Sequence, residues 1–188
     1  MWRMALLLLA LLALLRLWEV YVSARRLRAA IGTGGASPLP DPVYPWMVLV
    51  HVGWFCGCAA ESLLRARHPA PWVTAAALGV LGGALGLRAW TLATLGALWN
   101  VRLVRRPRQP IVTAGPYRLL RHPNYLAVIL EIAAVPAALG AWWTALGASL
   151  LNGAVLWARI RREEAYLFSV PGYAAAFRDK KRILPGVF

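Results

Sequence analysis

The stretch that decides the fold is residues 125–158, which read YLAVILEIAAVPAALGAWWTALGASLLNGAVLWA. It carries a single charge, on Glu131, and Gly140 stands near its middle. A helix rises about 1.5 Å per residue, so about 20 apolar residues cross the ~30 Å hydrocarbon core of a bilayer. Two apolar segments separated by one glycine therefore predict a tight helical hairpin in a membrane.

Three more apolar stretches lie upstream, at residues 4–22, 43–60 and 72–90. Together with segments 125–139 and 141–158 they predict an all-α, polytopic integral membrane protein with about five transmembrane helices, the last two forming the hairpin. The first stretch begins like a signal peptide. It continues through residue 22 without a small-residue cleavage site, which favours an uncleaved first span.

The composition supports a membrane protein and argues against nucleic-acid binding. The chain is 60% hydrophobic and 15% charged, with a net charge of +14, whereas soluble domains are about 45–50% apolar and about 25% charged. The excess of arginine lies between the apolar stretches, and no aromatic-basic RNA motif or zinc spacing accompanies it.

The basic residues predict an orientation in the membrane. They concentrate after the first, third and fifth stretches, which places the N-terminus outside and the C-terminus in the cytoplasm, in a multi-pass protein of the cell membrane. The loop after the second stretch, with Arg65, Arg67 and an exposed His68, then faces outward.

Two patterns inside the second and third spans predict packing rather than chemistry. Cys56 and Cys58 have no partners at metal-ligand spacing, so no metal site is expected. In the third span the small-xxx-small pairs Gly79/Gly83 and Gly82/Gly86 share helix faces. Such pairs predict close approach of a neighbouring helix.

The residues that predict chemistry begin at 115–125, which read GPYRLLRHPNY. Gly115 and Pro116 mark a turn. Pro123 suits the first turn of a helix, which puts His122 near its cap. The free N–H groups and the positive end of that helix would favour a carboxylate at the membrane surface.

A second group follows the hairpin at residues 159–164, RIRREE. Arg159 and Glu163 are four residues apart and share a helix face. Because a hairpin returns its two ends to one membrane surface, we expect His122, Tyr125, Arg159 and Glu163 to meet. Taken singly, each also fits a plainer role as a topology signal, a surface ion pair, a helix cap or an interfacial aromatic.

The run Gly-Pro-Tyr-Arg-x-x-Arg-His-Pro-x-Tyr followed by Arg-x-x-x-Glu-Glu resembles the isoprenylcysteine carboxyl methyltransferase family. The resemblance covers about residues 99–188. It extends to the bacterial branch of the family through Arg16, Glu19, His51, Trp54 and Phe55.

The resemblance implies a multispan enzyme that binds S-adenosylmethionine at the cytosolic ends of its last two helices. Residues 1–95 would hold three spans, and residues 96–188 the cofactor-binding catalytic region with its hairpin and cytoplasmic tail. Glu163 would hold the amino group of the cofactor, and Arg159 would be catalytic and face the acceptor. The other residues expected to line the cofactor are Gln109, Pro110, Ile111, Val112, Tyr117, His122, Pro123, Asn124 and Tyr125.

Ionisable residues inside a membrane are functional candidates by default. We therefore predict Arg16, Glu19 and His51 as acceptor-side residues, with a helix–helix hydrogen bond as the plainer role of His51. The role of Glu131 stays open.

The predicted reaction is methyl transfer to an oxygen (carboxylate, enol or phenol) of a lipophilic or lipid-anchored acceptor that enters from the bilayer. Bacterial members of the family that O-methylate alkylpyrones and phenolic lipids suggest the substrate class. Other interpretations are a phospholipid N-methyltransferase, whose amine acceptor Arg159 would repel, and a sterol-type reductase using NADPH, for which the chain is short. A non-catalytic membrane scaffold or small transporter would need neither His122 nor Glu163.

Overall fold

The computed structural model of the protein describes residues 2–65 and 69–183, so Arg67 and His68 lie outside the described residues. Five long helices account for most of that part of the chain, and a short sixth helix precedes the tail. Their bounds are α1 Trp2–Gly32, α2 Tyr44–Leu64, α3 Pro71–Leu95, α4 Pro123–Leu139, α5 Trp142–Leu167 and α6 Tyr173–Phe177.

Three of these helices are long and apolar enough to cross a membrane, within segments Arg3–Gly32, Tyr44–Leu64 and Pro71–Leu98. α4 is apolar but has 17 residues, and α5 has 26 residues, the last of which are charged. The chain is therefore a multi-pass helical membrane protein, as predicted. That α4 and the part of α5 up to residue 158 also cross stays a prediction.

The burial pattern suits a bilayer. The core consists of apolar side chains between helices, such as Leu9, Trp54 and Ile132. Many equally apolar side chains point outward, which a water-facing surface of this extent would not tolerate but lipid does. They include Leu7, Leu11, Leu14, Leu49, Trp72, Leu150 and Leu151.

The hairpin predicted from residues 125–158 is confirmed. Gly140 has a left-handed backbone (φ +73°) that ends α4, and α5 begins two residues later. Glu61 of α2 receives hydrogen bonds from the backbone N–H groups of Trp143 (3.2 Å) and Thr144 (2.9 Å), which satisfies free donors at the start of α5. The start of α4 and the end of α5 consequently share one surface.

The prediction that the glycines of α3 pack against a helix is wrong within the described residues. Apart from the local backbone of α3 itself, no described atom lies within 4 Å of the position that a Cβ would take at Gly79, Gly82, Gly83 or Gly86. α3 packs through another face, which carries Ala77, Leu81, Ala84 and Arg88. A spacing of small residues identifies a helix face but does not say which face is buried.

A two-residue pairing that the sequence did not predict joins the loop between α1 and α2 to the segment between α3 and α4. β1 (Ser37–Pro38) pairs antiparallel with β2 (Val104–Arg105). The tail joins the end of the same α3–α4 segment, because the N–H of Arg121 donates to the carbonyl of Lys181 at 2.8 Å. The arginine-rich segments after α1, α3 and α5 thus lie on one side of the helices, as the charge count predicts.

Candidate active site

A cavity of about 500 Å³ lies where the loops meet the helices, and ligand sites typically measure about 300–1,000 Å³. Its wet end is formed by the segment after α3, the start of α4, the end of α5 and α6. Its other end lies among α1, α2 and α3. Both halves of the chain therefore contribute walls.

All but one of the residues predicted to be catalytic or to bind the cofactor or the acceptor line this cavity. The exception is Pro123, which is buried as the first residue of α4. The cavity-lining residues among those predicted are Gln109, Pro110, Ile111, Val112, Tyr117, His122, Asn124, Tyr125, Arg159 and Glu163 at the wet end, and Arg16, Glu19 and His51 between the helices.

The turn before α4 requires its glycine. Gly115 has φ +57°, and a Cβ there would collide with the side chains of Thr94 and Trp90. The turn presents Tyr117 to the cavity. Burial raises the pKa of the Tyr117 hydroxyl, and the charge of Glu163 raises it further. Tyr117 is therefore a neutral wall of the site.

Four predicted residues come together where α4 begins and α5 ends. The hydroxyl of Tyr125 donates a short hydrogen bond to Glu163 Oε2. Arg159 Nε lies 3.4 Å from the same hydroxyl. The ring of His122 stacks on that of Tyr125 with centroids 5.3 Å apart. The hairpin thus gathers the aromatic cluster of α4 and the charged pair of α5 at one place.

Arg159 has a partner that the sequence analysis missed. Its Nη1 donates to Asp41 Oδ2 in a buried ion pair, the two side chains being 2% and 1% exposed. Its Nη2 donates to the carbonyl of Val101 at 2.8 Å. Asp41 is the single acidic residue between Glu19 and Glu61, a signal that, once noticed, would have made it a candidate. Arg159 therefore joins the α1–α2 loop, through Asp41, and the α3–α4 segment, through Val101, to α5.

Glu164, to which no role was assigned, holds His122 in place. His122 Nε2 lies 3.3 Å from Glu164 Oε1, and Arg121 (3.2 Å) and Arg182 (2.9 Å) contact the same carboxylate. Burial alone would raise the pKa of Glu164, but the hydrogen bonds from His122 and Arg182 outweigh it and lower the pKa to about 2.

This arrangement changes what His122 can offer a ligand. One ring nitrogen is committed to Glu164, and the backbone N–H donates to the carbonyl of Arg182 at 3.0 Å. Neither group is therefore open to a bound carboxylate, although the sequence analysis expected a carboxylate to bind near His122. His122 contributes its remaining ring edge to the cavity.

A cluster of four charges lies between the helices. Arg88 binds Glu19 through two hydrogen bonds of 2.8 and 2.6 Å. Arg16 contacts Glu19 at 2.5 Å and Glu131 at 3.1 Å. The sequence analysis named Arg16 and Glu19 but missed Arg88, whose signal is that it is an ionisable residue inside the third apolar stretch. The four charges compensate one another, which is how ion pairs persist in a membrane.

His51 bonds within its own helix. Its Nδ1 lies 2.7 Å from the carbonyl oxygen of Met47, one turn earlier. The helix–helix hydrogen bond considered as its plainer role is absent from the described residues, and the ring lines the cavity.

The residues at the wet end fit S-adenosylmethionine. Three buried side-chain oxygens in the cavity wall, Asn100 Oδ1, Gln109 Oε1 and Asn124 Oδ1, have no hydrogen-bond partner in the described part of the chain. Buried acceptors of this kind are costly unless donors reach them. The cofactor carries donors on its adenine, ribose and ammonium groups, and Glu163 offers a carboxylate to the ammonium.

Comparison with known proteins shows the family to which the chain belongs. A model of the Isoprenylcysteine carboxyl methyltransferase (ICMT) family matches residues 75–169. "Uncharacterized protein YpbQ" of Bacillus subtilis is 35% identical over 161 residues, which are 86% of this chain and 95% of that protein. "Cobalt-zinc-cadmium resistance protein CzcN" of Cupriavidus metallidurans is 32% identical over 103 residues, which are 54% of this chain and 48% of that protein.

A solved structure has the same fold. The eukaryotic intramembrane Ras methyltransferase ICMT (isoprenylcysteine carboxyl methyltransferase) superposes with a TM-score of 0.61 at 21% sequence identity. The match covers 79% of this chain and 55% of that one. The chain thus spans about half the length of that enzyme, and the likeness concerns the arrangement of helices.

Proposed function

Because the chain belongs to the isoprenylcysteine carboxyl methyltransferase family, we propose that it transfers a methyl group from S-adenosylmethionine to an oxygen of a lipophilic acceptor. The observation that carries the proposal is a single cavity that joins the Tyr125–Glu163 pair at its wet end to apolar side chains of α1 and α2. Such a cavity can hold a polar methyl donor and a lipophilic acceptor at the same time.

The wet end holds the cofactor. Glu163 pairs with the ammonium, and Gln109 and Asn124 accept hydrogen bonds from its donors. Tyr117 and Tyr173, which both line the cavity, supply aromatic walls. When bound, S-adenosylmethionine supplies a methyl group activated by its positive sulfur.

Arg159 positions the acceptor oxygen. A guanidinium has five N–H groups. Three of them point to Tyr125, Asp41 and Val101, and the other two are available to an oxygen in the cavity. Because Arg159 is only 2% exposed, these hydrogen bonds form away from water, where they align the reactants more strongly.

The acceptor enters from the bilayer between α1 and α2. Four side chains line the cavity and are also exposed on the outer surface: Leu17, Val20, Val48 and Val52. The wall is therefore open to the lipid side there, and an alkyl tail can lie in the opening. Long-chain alkylpyrones and phenolic lipids, which carry one small oxygen group on such a tail, are the proposed substrate class.

The test is titration of the protein, purified in detergent, with S-adenosylmethionine, followed by a transfer assay with a labelled methyl group. We expect micromolar binding and label in a long-chain phenol or pyrone. A protein that keeps its fold but neither binds the cofactor nor labels any acceptor would refute the proposal.

A further inference from the structure

We propose that His51 is the group that takes the proton from a neutral hydroxyl acceptor during methyl transfer. This inference rests on the proposed function and narrows the acceptor to an alcohol-type oxygen, such as a phenol or enol, that binds with its proton. It assigns a catalytic role to a residue that had only been a candidate for the acceptor side.

The hydrogen bond within α2 fixes the tautomer of His51. A carbonyl oxygen only accepts, so the 2.7 Å contact with Met47 requires a proton on Nδ1. In the neutral ring Nε2 then carries a lone pair. Nε2 has no hydrogen-bond partner in the described part of the chain, and the ring is part of the cavity wall. Nε2 of the imidazole can therefore accept a proton from a molecule bound in the cavity.

His51 lies at a depth suited to the acceptor. It follows the start of α2 at Tyr44 by seven residues, which is about 10 Å along the helix axis. Val128 of α4, also in the cavity wall, follows the start of its helix by about 8 Å. His51 is thus placed in the cavity wall at about the depth of Val128, one turn of α4 beyond Tyr125.

The charges around this region favour an acceptor that arrives neutral. Asp41 compensates Arg159. Arg16 and Arg88, the cations nearest His51 on α1 and α3, are compensated by Glu19 and by Glu131 of α4. Arg102, Arg106 and Arg121 line the wet end, and Arg121 is bound to Glu164.

Within the described residues, the cations nearest His51 are each paired with a carboxylate, so an oxyanion at this depth would meet no unpaired cation, and burying an unpaired charge is costly. A neutral hydroxyl enters without that cost. It must then lose its proton as it reacts.

The reaction balances with His51 as base. The acceptor oxygen forms the new bond to the methyl carbon, while the carbon–sulfur bond breaks and its electron pair stays on sulfur, which becomes neutral. The O–H proton moves to Nε2, giving an imidazolium. That proton passes to water when the products leave, and the neutral ring is restored.

The test uses long-chain phenols that share one tail and differ in ring fluorination, which lowers the pKa of the hydroxyl from about 10, the value for an ordinary phenol, to below the assay pH. The variants are His51→Gln and His51→Asn, which keep a polar amide but cannot accept a proton at neutral pH. Asn152→Ala is the matched control, because Asn152 is a buried polar residue of α5 outside the cavity.

We expect kcat of both His51 variants on the unfluorinated phenol to fall about 100-fold or more, the usual contribution of a general base. The loss of kcat should shrink step by step along the series and nearly vanish for the phenols that are ionised in solution, whose KM should rise in the parent protein and the variants alike because burying an oxyanion is costly. The control should follow the parent protein throughout, and the affinity for S-adenosylmethionine should stay the same in all variants.

An equal loss of kcat across the series, or no loss at all, would overturn the role of His51 while leaving the methyltransferase intact. Failure of the parent protein to bind cofactor or to methylate any phenol would instead overturn the proposed function. The two failures are therefore distinguishable in the same experiment.

Discussion

Tyr125 and Glu163 contact each other across the hairpin: the phenol hydroxyl at the start of α4 donates to the carboxylate near the end of α5, 38 residues later in the chain. Each helix end alone is an ordinary membrane-surface terminus. Their contact creates a half-buried, oriented carboxylate near Arg159, and that carboxylate is the proposed partner of the ammonium of the cofactor.

Replacing Glu163 by Gln should weaken S-adenosylmethionine binding about 10- to 100-fold, because hydrogen bonds to charged groups contribute about 1.5–3 kcal/mol and each 1.4 kcal/mol is a factor of ten. The fold should persist, since Tyr125 can donate to the amide oxygen. Calorimetric titration in detergent measures the affinity.

The control for this variant is Glu61→Gln, the same chemical change at the other end of α5. Glu61 lies outside the cavity and accepts from Trp143 and Thr144. Its substitution should lower the thermal unfolding midpoint and leave the cofactor affinity unchanged. Equal cofactor affinities in both variants would remove Glu163 from the cofactor site.

Arg159→Gln should abolish turnover while cofactor binding remains. It should also destabilise the protein, because it leaves the buried carboxylate of Asp41 without its partner, a change that costs about 3–5 kcal/mol. The double variant with Asp41→Asn should recover much of that stability and none of the activity. Unfolding midpoints and initial rates of methyl transfer measure the two effects.

A double-mutant cycle separates the roles of this pair. If the stability losses of the two single variants simply add, the ion pair contributes nothing. If cofactor affinity falls in step with turnover in Arg159→Gln, the arginine belongs to the cofactor side rather than the acceptor side.

The meeting of the two motifs could be predicted because it follows from membrane thickness and hairpin length. Two apolar helices separated by a glycine must return to one surface, so Tyr125 and Glu163 had to be neighbours. The positive-inside pattern likewise indicated which loops share a side. Both features concern whole segments, whose length, hydrophobicity and charge can be read directly from the sequence.

The partners Asp41, Arg88 and Glu164 escaped prediction for the opposite reason. Each is a single residue whose role depends on a contact made after folding: Asp41 reaches Arg159 from a loop 118 positions away, and Arg88 reaches Glu19 from 69 positions away. No local pattern encodes such a pair. The packing prediction for the glycines of α3 failed for a different reason, since the sequence shows their spacing but not which face of the helix is buried.

Glu164 should make the stability of the folded protein depend on pH in the acidic range. Its pKa in the folded protein is about 2, below the ordinary value of 4.5. Its stabilising contribution is therefore complete above the ordinary value and is lost as the pH falls toward 2. Glu164→Gln should lower the unfolding midpoint at neutral pH, and the gap to the parent protein should narrow as the solution is acidified below about pH 5.

The same variant should loosen the tail, because Glu164 binds Arg182 as well as Arg121 and His122. Limited proteolysis after α6 measures this. A gap between variant and parent that stays constant with pH would contradict the assigned ionisation of Glu164.

Glu19→Gln should be strongly destabilising, by about 3 kcal/mol or more, because it leaves the guanidinium of Arg88 buried without its carboxylate. Adding Arg88→Met removes that charge too, and the double variant should be more stable than the single one. Thermal unfolding in detergent checks the order. A double variant less stable than Glu19→Gln would show that Arg88 is held by something other than Glu19.

The orientation follows from cysteine labelling in whole cells. In a background with Cys56→Ser and Cys58→Ala, a cysteine in place of Arg65 should react with an impermeant maleimide from outside, and one in place of Arg108 only after permeabilisation. Both positions are exposed, so access to the reagent depends on the side of the membrane. The reverse pattern would put the wet end of the cavity outside the cell, away from the cytoplasmic supply of cofactor, and would contradict the proposed route of cofactor entry along with the orientation.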